Sequence, residues 1–184
     1  FKPIVADSII STTDNDHWRD QRNILGDAFL PNTILKNVFK YSNVLARNGV
    51  NKLRNILDDG NYVIDINDFL LDQTQEQLQK VLLGMDDEFV NQTNKPIRNS
   101  FNGKERRGYT REFAFSVLEE IKKNNNKFSL NSDKGVYGPV SNILGRDLEM
   151  TTEKYGNIVL LAFAGHDTTG HTLTWLLYEL SKNI

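Results

Sequence analysis

The 184-residue sequence contains no cysteine. This absence excludes a disulfide, a zinc–thiolate site, an iron–sulfur cluster and a cysteine nucleophile from these residues. It also removes cysteine usage as an indicator of the redox compartment. Whatever chemistry these residues carry must therefore come from other side chains.

Neither sign of charge is in large excess, and no hydrophobic run is long. There are 22 lysines and arginines against 24 aspartates and glutamates, a formal net charge of −2. This near-balance argues against a nucleic-acid partner, because such proteins usually carry a basic patch. The densest apolar run, residues 158–164, is far shorter than the roughly 20 residues that span a bilayer. The sequence predicts no membrane anchor within these residues, and it leaves membrane association through other segments and the subcellular location open.

Helical patterns dominate what the sequence does contain. Hydrophobic residues make up 39% and charged residues 25% of the chain, which is typical of a folded globular protein. Apolar residues recur at helical spacing, and Pro31 is expected to end the first long helix. The predicted fold class is mainly α within a single domain. We predict helices over residues 17–29, 32–57, 68–83, 111–123 and 152–182, a short strand or extended segment over 61–66, irregular structure over 86–104, and a loop-rich connection over 124–149 with an apolar turn at 140–144.

The last predicted helix is long and is interrupted by small and polar residues. At 1.5 Å per residue it would extend roughly 45 Å, so we expect it to run through the middle of a larger domain. Its apolar flanks, residues 158–163 and 173–180, are both expected to be buried. Residues 164–172 between them read A-G-H-D-T-T-G-H-T, although glycine costs about 1 kcal/mol relative to alanine in a helix. Such a break in the pattern predicts a functional site.

The spacing within this interruption predicts a binding face. Ala164, Gly165 and Thr168 are three and four residues apart and share one side of the helix. Their small bulk would let a flat ligand approach the backbone. The Thr168 hydroxyl is predicted to donate to the Ala164 carbonyl. Asp167, about 100° round the helix, is placed to feed protons toward that side.

Two other interpretations of the interruption remain open at this point. One is a glycine-kinked helix whose polar residues meet neighbouring helices. The other is a metal site, which the spacing disfavours because five residues separate His166 from His171, about 140° round a helix. Asp167 and His171 do share a face, but a third protein ligand is not evident.

A second pair of residues lies on the first predicted long helix. Trp18 and Arg22 are four residues apart, so an indole N–H and a guanidinium emerge side by side. Both groups only donate hydrogen bonds, which suits them to a carboxylate. The alternative interpretation is an arginine stacked on a tryptophan at the surface.

Taken together, the two motifs resemble a known family. The run A-G-H-D-T-T at 164–169 is similar to the A/G-G-x-D/E-T-T/S signature in the long central I helix of the cytochrome P-450 haem-thiolate monooxygenases. The run D-H-W-R-D-Q-R at 16–22, with F-L-P at 29–31, is similar to that family's C helix, which carries W-x-x-x-R. The motifs occur in the family's order, 150 residues apart from Trp18 to Thr168. The resemblance implies a partial cytochrome P-450 fold built around a long I-type helix.

The same resemblance implies a cofactor, haem (iron protoporphyrin IX), in the full-length parent. Trp18 and Arg22 would hold the haem propionates. Ala164, Gly165 and Thr168 would line the distal side of the haem. No metal ligand is expected within this chain, because the family's axial ligand is a cysteine downstream of the I helix.

The implied activity is a monooxygenase reaction. Asp167 and Thr168 would be the acid–alcohol pair that relays protons to bound oxygen. The implied partners are dioxygen, a small apolar organic substrate, and an electron donor that is a reductase or a ferredoxin. One oxygen atom would enter the substrate and the other would leave as water.

The family's N-terminal β region and its C-terminal haem-thiolate region have no counterpart in the sequence. We therefore expect residues 1–184 to be one incomplete domain, an internal segment covering roughly the C helix to the I helix, and to be inactive in isolation. The alternative is a non-catalytic helical module on the same scaffold that binds a ligand or a partner. A weaker third possibility is a parent that uses haem for isomerisation or dehydration.

Overall fold

The fold consists of helices throughout the part of the chain that the structure, a computed structural model, describes: residues 2–29, 32–60, 63–103, 108–124 and 138–183. No strand occurs in these ranges, so the mainly α prediction is confirmed. In chain order the elements are α1 (Lys2–Val5), α2 (Asn15–Phe29), α3 (Asn32–Asp58), α4 (Ile66–Gln77), a π-helical segment (Leu78–Leu82), α5 (Asp87–Phe101), α6 (Tyr109–Lys123), α7 (Pro139–Leu144) and α8 (Thr152–Lys182).

Five predicted helices are present, with one difference inside the third. The elements α2, α3, α6 and α8 match their predicted ranges to within two residues at each end. The predicted helix over 68–83 is α4 followed by the π-helical segment, in which the amide of Leu83 bonds the carbonyl of Leu78 at 3.3 Å. The spacing of apolar residues does not distinguish a π-helical turn from an α-helical one. In the π-helical turn each backbone hydrogen bond simply spans one more residue.

Two predictions of irregular structure are wrong. Residues 87–101 form α5, whose N-cap Asp86 accepts a hydrogen bond from the amide of Phe89 at 2.9 Å. Phe89, Val90 and Ile97 lie on its buried side, so tertiary packing stabilises this helix. Its many polar residues weaken the apolar spacing by which the sequence would predict it. The predicted apolar turn at 140–144 lies within α7, which begins at Pro139.

The predicted strand over 61–66 is not found where the chain is described. Residues 61–62 lie outside the described ranges, and residues 63–65 have no regular secondary structure. Asp65 caps α4 by accepting a hydrogen bond from the amide of Asp68 at 3.0 Å. Of the predicted connection over 124–149, residues 125–137 also lie outside the described ranges.

The central contact of the fold is between α4 and α8. The Thr74 hydroxyl lies 3.0 Å from the carbonyl of His166, and Thr174 donates to Asn67 at 3.1 Å. The pairs run in opposite orders along the two helices, so α4 and α8 are antiparallel. Side chains of α5, α6 and α7 complete the core around the first half of α8, where Ile158, Val159 and Ala162 are fully buried.

The described helices include none that is long and apolar enough to cross a membrane.

Candidate functional site

The Ala164–Thr168 face of α8, formed by these two residues, is open to solvent. Both residues are exposed. The Thr168 hydroxyl donates to the Ala164 carbonyl at 2.9 Å, so the predicted hydrogen bond along the helix is confirmed. The face therefore presents a methyl group and a hydroxyl with little bulk around them.

Gly165 does not belong to this open face. A side chain at Gly165 would collide with Leu78 of the π-helical segment, because the two helices approach closely there. Five residues further on, a Cβ at Gly170 would lie 2.7 Å from the Leu71 side chain. The contact with α4 thus gives both glycines a packing role, and the prediction that Gly165 shares the binding face with Ala164 and Thr168 is wrong.

Asp167 is directed toward His171 rather than toward Thr168. Its carboxylate oxygen lies 3.5 Å from His171 Nδ1, and both side chains are partly exposed. The predicted sharing of a face by Asp167 and His171 is confirmed. Adjacent helical residues point about 100° apart, so the acid and the alcohol are neighbours without direct contact.

His166 lies on the other side of α8 and is buried. Its Nδ1 lies 2.7 Å from the Ala162 carbonyl, and its ring stacks on Phe101. Burial lowers the pKa of His166 below its ordinary value, and this effect outweighs the backbone contact to Ala162, which raises it. In the described ranges, no group of three histidine, aspartate or glutamate side chains is arranged to hold a metal ion.

The second apolar flank of α8 is exposed, so the prediction that both flanks are buried is wrong for this one. The helix α4 begins at Ile66, opposite Thr174, and no other described helix covers the remaining turns. The exposed side chains of this flank are Leu173, Trp175, Leu176, Leu177, Tyr178 and Leu180.

Trp18 and Arg22 form a cation–π pair on the surface of α2. The guanidinium carbon lies 5.5 Å from the centroid of the indole ring, and 40% of the Trp18 residue is exposed. This is the stacked surface pair of the alternative interpretation. Within the described residues no carboxylate or carbonyl accepts a hydrogen bond from either side chain, so both remain available to an external acceptor.

The helix that carries this pair, α2, lies on the same side of α8 as the open face. Asn157 of α8 donates to Gln21 of α2 at 2.8 Å, which fixes the side of α8 on which α2 lies. Thr168 follows Asn157 by eleven residues, about 20° round the helix and roughly 16 Å along it. A second contact, His17 to Glu153 at 3.6 Å, comes one turn earlier on both helices.

Sequence reasoning missed the residues that join α2 to α8. Asn157 and Gln21 are polar but buried, each 6% exposed. The available signal was an asparagine directly before an apolar run in a helix, where a buried amide needs a partner. The sequence does not identify that partner, since Gln21 is 136 residues away.

The cofactor implied by the resemblance can be compared with these side chains. Trp18 and Arg22 offer adjacent free donors, which the propionates of a haem require. Ala164 and Thr168 offer a surface of low bulk, which a flat ring requires. The axial thiolate has no counterpart, because the chain has no cysteine. The residues thus fit the propionate and distal parts of a haem environment and not its axial part. No protein-family model, curated protein or solved structure matches the chain.

Proposed function

We propose that the chain is an internal segment of a cytochrome P-450 type monooxygenase, and that its residues form the propionate-binding and distal parts of a haem site. The observation that carries this proposal is the common side of α8 shared by α2 and the Ala164–Thr168 face. Two motifs 150 residues apart in the sequence are thereby brought to one side of α8, and we propose that the surface between them is one binding region. A surface cation–π pair and an unrelated helix interruption would have no reason to do so.

On the α2 side of this region, Trp18 and Arg22 bind carboxylates. The indole N–H and the guanidinium are donors only, and a charge-assisted bond from arginine is about twice as strong as a neutral one. Their stacking at 5.5 Å holds the guanidinium over the ring and limits its rotamers. The pair is thus arranged to receive the two propionates of one porphyrin.

On the α8 side, Ala164 and Thr168 leave space, and Thr168 holds a proton. Its hydroxyl donates to the Ala164 carbonyl at 2.9 Å and keeps its lone pairs free to accept from a water or a neighbouring acid. Asp167, one residue away and 3.5 Å from His171, would pass on a proton that it receives from solvent or from His171. A water between the two side chains would complete a relay toward the open face.

When bound, haem with a thiolate ligand would supply dioxygen activation and oxygen insertion into a small apolar substrate, with electrons from a reductase or ferredoxin. The thiolate would come from a cysteine outside these 184 residues. The isolated chain is therefore proposed to be inactive.

A porphyrin titration tests the proposal without relying on iron. The chain carrying Trp175→Phe retains Trp18 as its single tryptophan, and iron-free protoporphyrin IX quenches its fluorescence if it binds beside α2. We expect binding that requires free propionates, so that the dimethyl ester binds more weakly. Arg22→Gln should reduce the affinity about tenfold or more, since a hydrogen bond to a charged group is worth about 1.5–3 kcal/mol.

Arg19→Gln is the matched control for this titration. Arg19 is on the same helix and pairs with Asp16 at 3.0 Å on the surface. It should leave the porphyrin affinity unchanged. Equal binding of the acid and the ester, or equal loss in both arginine variants, would contradict the proposal.

The non-catalytic module is favoured by one different observation. A mainly apolar cleft of about 200 Å³ lies between α3 and the π-helical segment, away from the open face, and it could take a small apolar ligand. Its lining includes Tyr41, Val44, Leu45, Val81 and Met85. The coding sequence beyond Ile184 separates the two functions: E-x-x-R followed by F-x-x-G-x-x-x-C-x-G supports the monooxygenase, and an immediate stop codon supports the module.

A further inference from the structure

Two buried side-chain amides join α8, α2 and the turn that follows α1. The amide of Ile9 donates to Asn157 Oδ1 at 2.9 Å, and Asn157 Nδ2 donates to Gln21 Oε1 at 2.8 Å. Gln21 Nε2 then donates to the carbonyl of Asp7 at 3.0 Å. These three hydrogen bonds, called the amide bridge below, begin and end on the same turn.

The backbone beside Asn157 is shaped to receive that turn. A side chain at Gly156 would collide with the carbonyl of Val5 and would lie 2.9 Å from the amide of Ser8. The turn is held in shape by its own contacts, since the Ser11 hydroxyl donates to the carbonyl of Ala6 and the amide of Ser8 bonds Val5 at 3.0 Å. The amide bridge therefore joins α2 and α8 to a turn that is itself held in place against α8.

Within the described residues, α2 has few other direct contacts with α8. The helix α2 packs mainly on α7 and α3. A second side-chain contact with α8, from His17 to Glu153, joins two side chains that are each more than one third exposed. An exposed pair of this kind contributes little to stability. The buried amides are therefore the better protected of these two side-chain links between α2 and α8.

We propose that Asn157 is a positioning residue for the haem site: through Gln21 it fixes the distance between the Trp18–Arg22 pair and the Ala164–Thr168 face. This role rests on the proposed function, because the pair and the face are the two parts of the proposed haem site. Asn157 itself is about 16 Å from Thr168 along the helix, so its proposed role is to position other residues.

The substitution Asn157→Asp tests this role. It preserves the size of the side chain and the acceptor for Ile9, and it replaces the donor to Gln21 by an oxygen that faces the Gln21 oxygen. Asn91→Asp, at an exposed position on α5, is the matched control for the added charge. If Asn157→Asp does not fold, Gln21→Glu is measured instead, because it removes the donor to the carbonyl of Asp7.

Hydrogen exchange and porphyrin binding are the two measurements. In Asn157→Asp we expect amide exchange in α2 to accelerate about tenfold or more, as loss of a buried hydrogen bond with an unsatisfied partner left behind implies, while exchange in α4 stays at the wild-type rate. In the Trp175→Phe background, quenching of Trp18 by protoporphyrin IX should weaken at least fivefold. Asn91→Asp should change neither.

Each result separates the positioning role from the proposed function. Unchanged exchange in α2, equal acceleration in α2 and α4, or a porphyrin affinity that survives Asn157→Asp would overturn the role of Asn157. Faster exchange confined to α2 in a protein whose wild type does not bind the porphyrin would support the bridge and reject the haem site itself.

Discussion

The imidazole ring of His166 stacks on the phenyl ring of Phe101, with centroids 5.7 Å apart and planes 23° from parallel. Phe163 meets the same imidazole edge-on at 6.3 Å. The histidine of the A-G-H-D-T-T run is therefore enclosed by aromatic rings on the side of α8 away from the open face. Its neutral form is the one this environment favours, because burial lowers its pKa.

This enclosure predicts a pH dependence of stability. In the unfolded chain a histidine has a pKa of about 6.5, so as the pH falls through that value the unfolded state takes up a proton that the folded state does not. The free energy of unfolding should therefore decrease below about pH 6.5. His166→Phe, which removes the titrating group, should show a smaller decrease between pH 7 and pH 5 in urea unfolding. Parallel curves for the two proteins would show that His166 does not cause the loss.

The close approach of α4 and α8 predicts that Gly170 does not tolerate a methyl group. A Cβ there would lie 2.7 Å from Leu71 Cδ2 and 3.1 Å from Leu71 Cα, so the backbone of α4 would have to move. Overpacking costs about 1–3 kcal/mol, against a gain of about 1 kcal/mol in helix propensity. We expect Gly170→Ala to lower the free energy of unfolding by about 1 kcal/mol net. Thr172→Ala, exposed on the same helix, should lower it by no more than about 0.5 kcal/mol.

The buried guanidinium of Arg98 predicts unequal costs for its two ends. Arg98 pairs with Asp72 at 2.9 Å and with Asp68, and its side chain is 7% exposed while that of Asp72 is 40% exposed. Asp72→Ala leaves the buried cation with fewer acceptors and also removes an acceptor for Asn94. We expect it to cost about 1–3 kcal/mol, and Arg98→Met to cost less because the aspartates it releases are hydrated. Thermal unfolding of both variants gives the order, and a larger loss in Arg98→Met would contradict it.

Thr74 of α4 and Thr168 of α8 should differ in their contribution to stability. Thr74 is buried and its hydroxyl lies 3.0 Å from the His166 carbonyl, whereas Thr168 is exposed and bonds only along its own helix. We expect Thr74→Val to cost about 1 kcal/mol and Thr168→Val less than about 0.5 kcal/mol in denaturant unfolding. A large loss for Thr168→Val would make Thr168 a structural residue rather than a site residue.

The absence of cysteine predicts the spectrum of the isolated chain with haem. Reduction in the presence of carbon monoxide should not give the long-wavelength Soret band of a thiolate-ligated haem, because no thiolate is present to bind the iron. No hydroxylation of a substrate should be detected. A thiolate-type band from these 184 residues alone would show that the assignment of the axial ligand to a downstream cysteine is wrong.

The helices could be predicted from sequence where apolar spacing and caps agree, as over α8, whose predicted range 152–182 is the observed one. They could not be predicted where burial depends on distant residues. The helix α5 contains Pro96 and many polar side chains, and its stability comes from packing of residues such as Ile97 against the core. Local propensity carries no information on that packing.

In the candidate site, too, some contacts could be predicted from the sequence and others could not. The hydrogen bond from Thr168 to Ala164 follows from a four-residue spacing, and the structure reproduces it. The packing of Gly165 against Leu78 does not follow from spacing, because the same small residue suits both a flat ligand and a close helix. The join between α2 and α8 is likewise invisible in the sequence, since its two amides are 136 residues apart.

The bond between Ile9 and Asn157 has a consequence for synthesis of the protein. The two residues are 148 positions apart, so a ribosome adding about 5–20 residues per second makes the second one roughly 7–30 s after the first. During that interval the early turn has no docking surface, and α2 can fold locally without a fixed orientation. The position of α2 relative to α8 is therefore fixed only after residue 157 has been made. We infer that a translation pause before residue 157 prolongs the exposure of the apolar surface of α2.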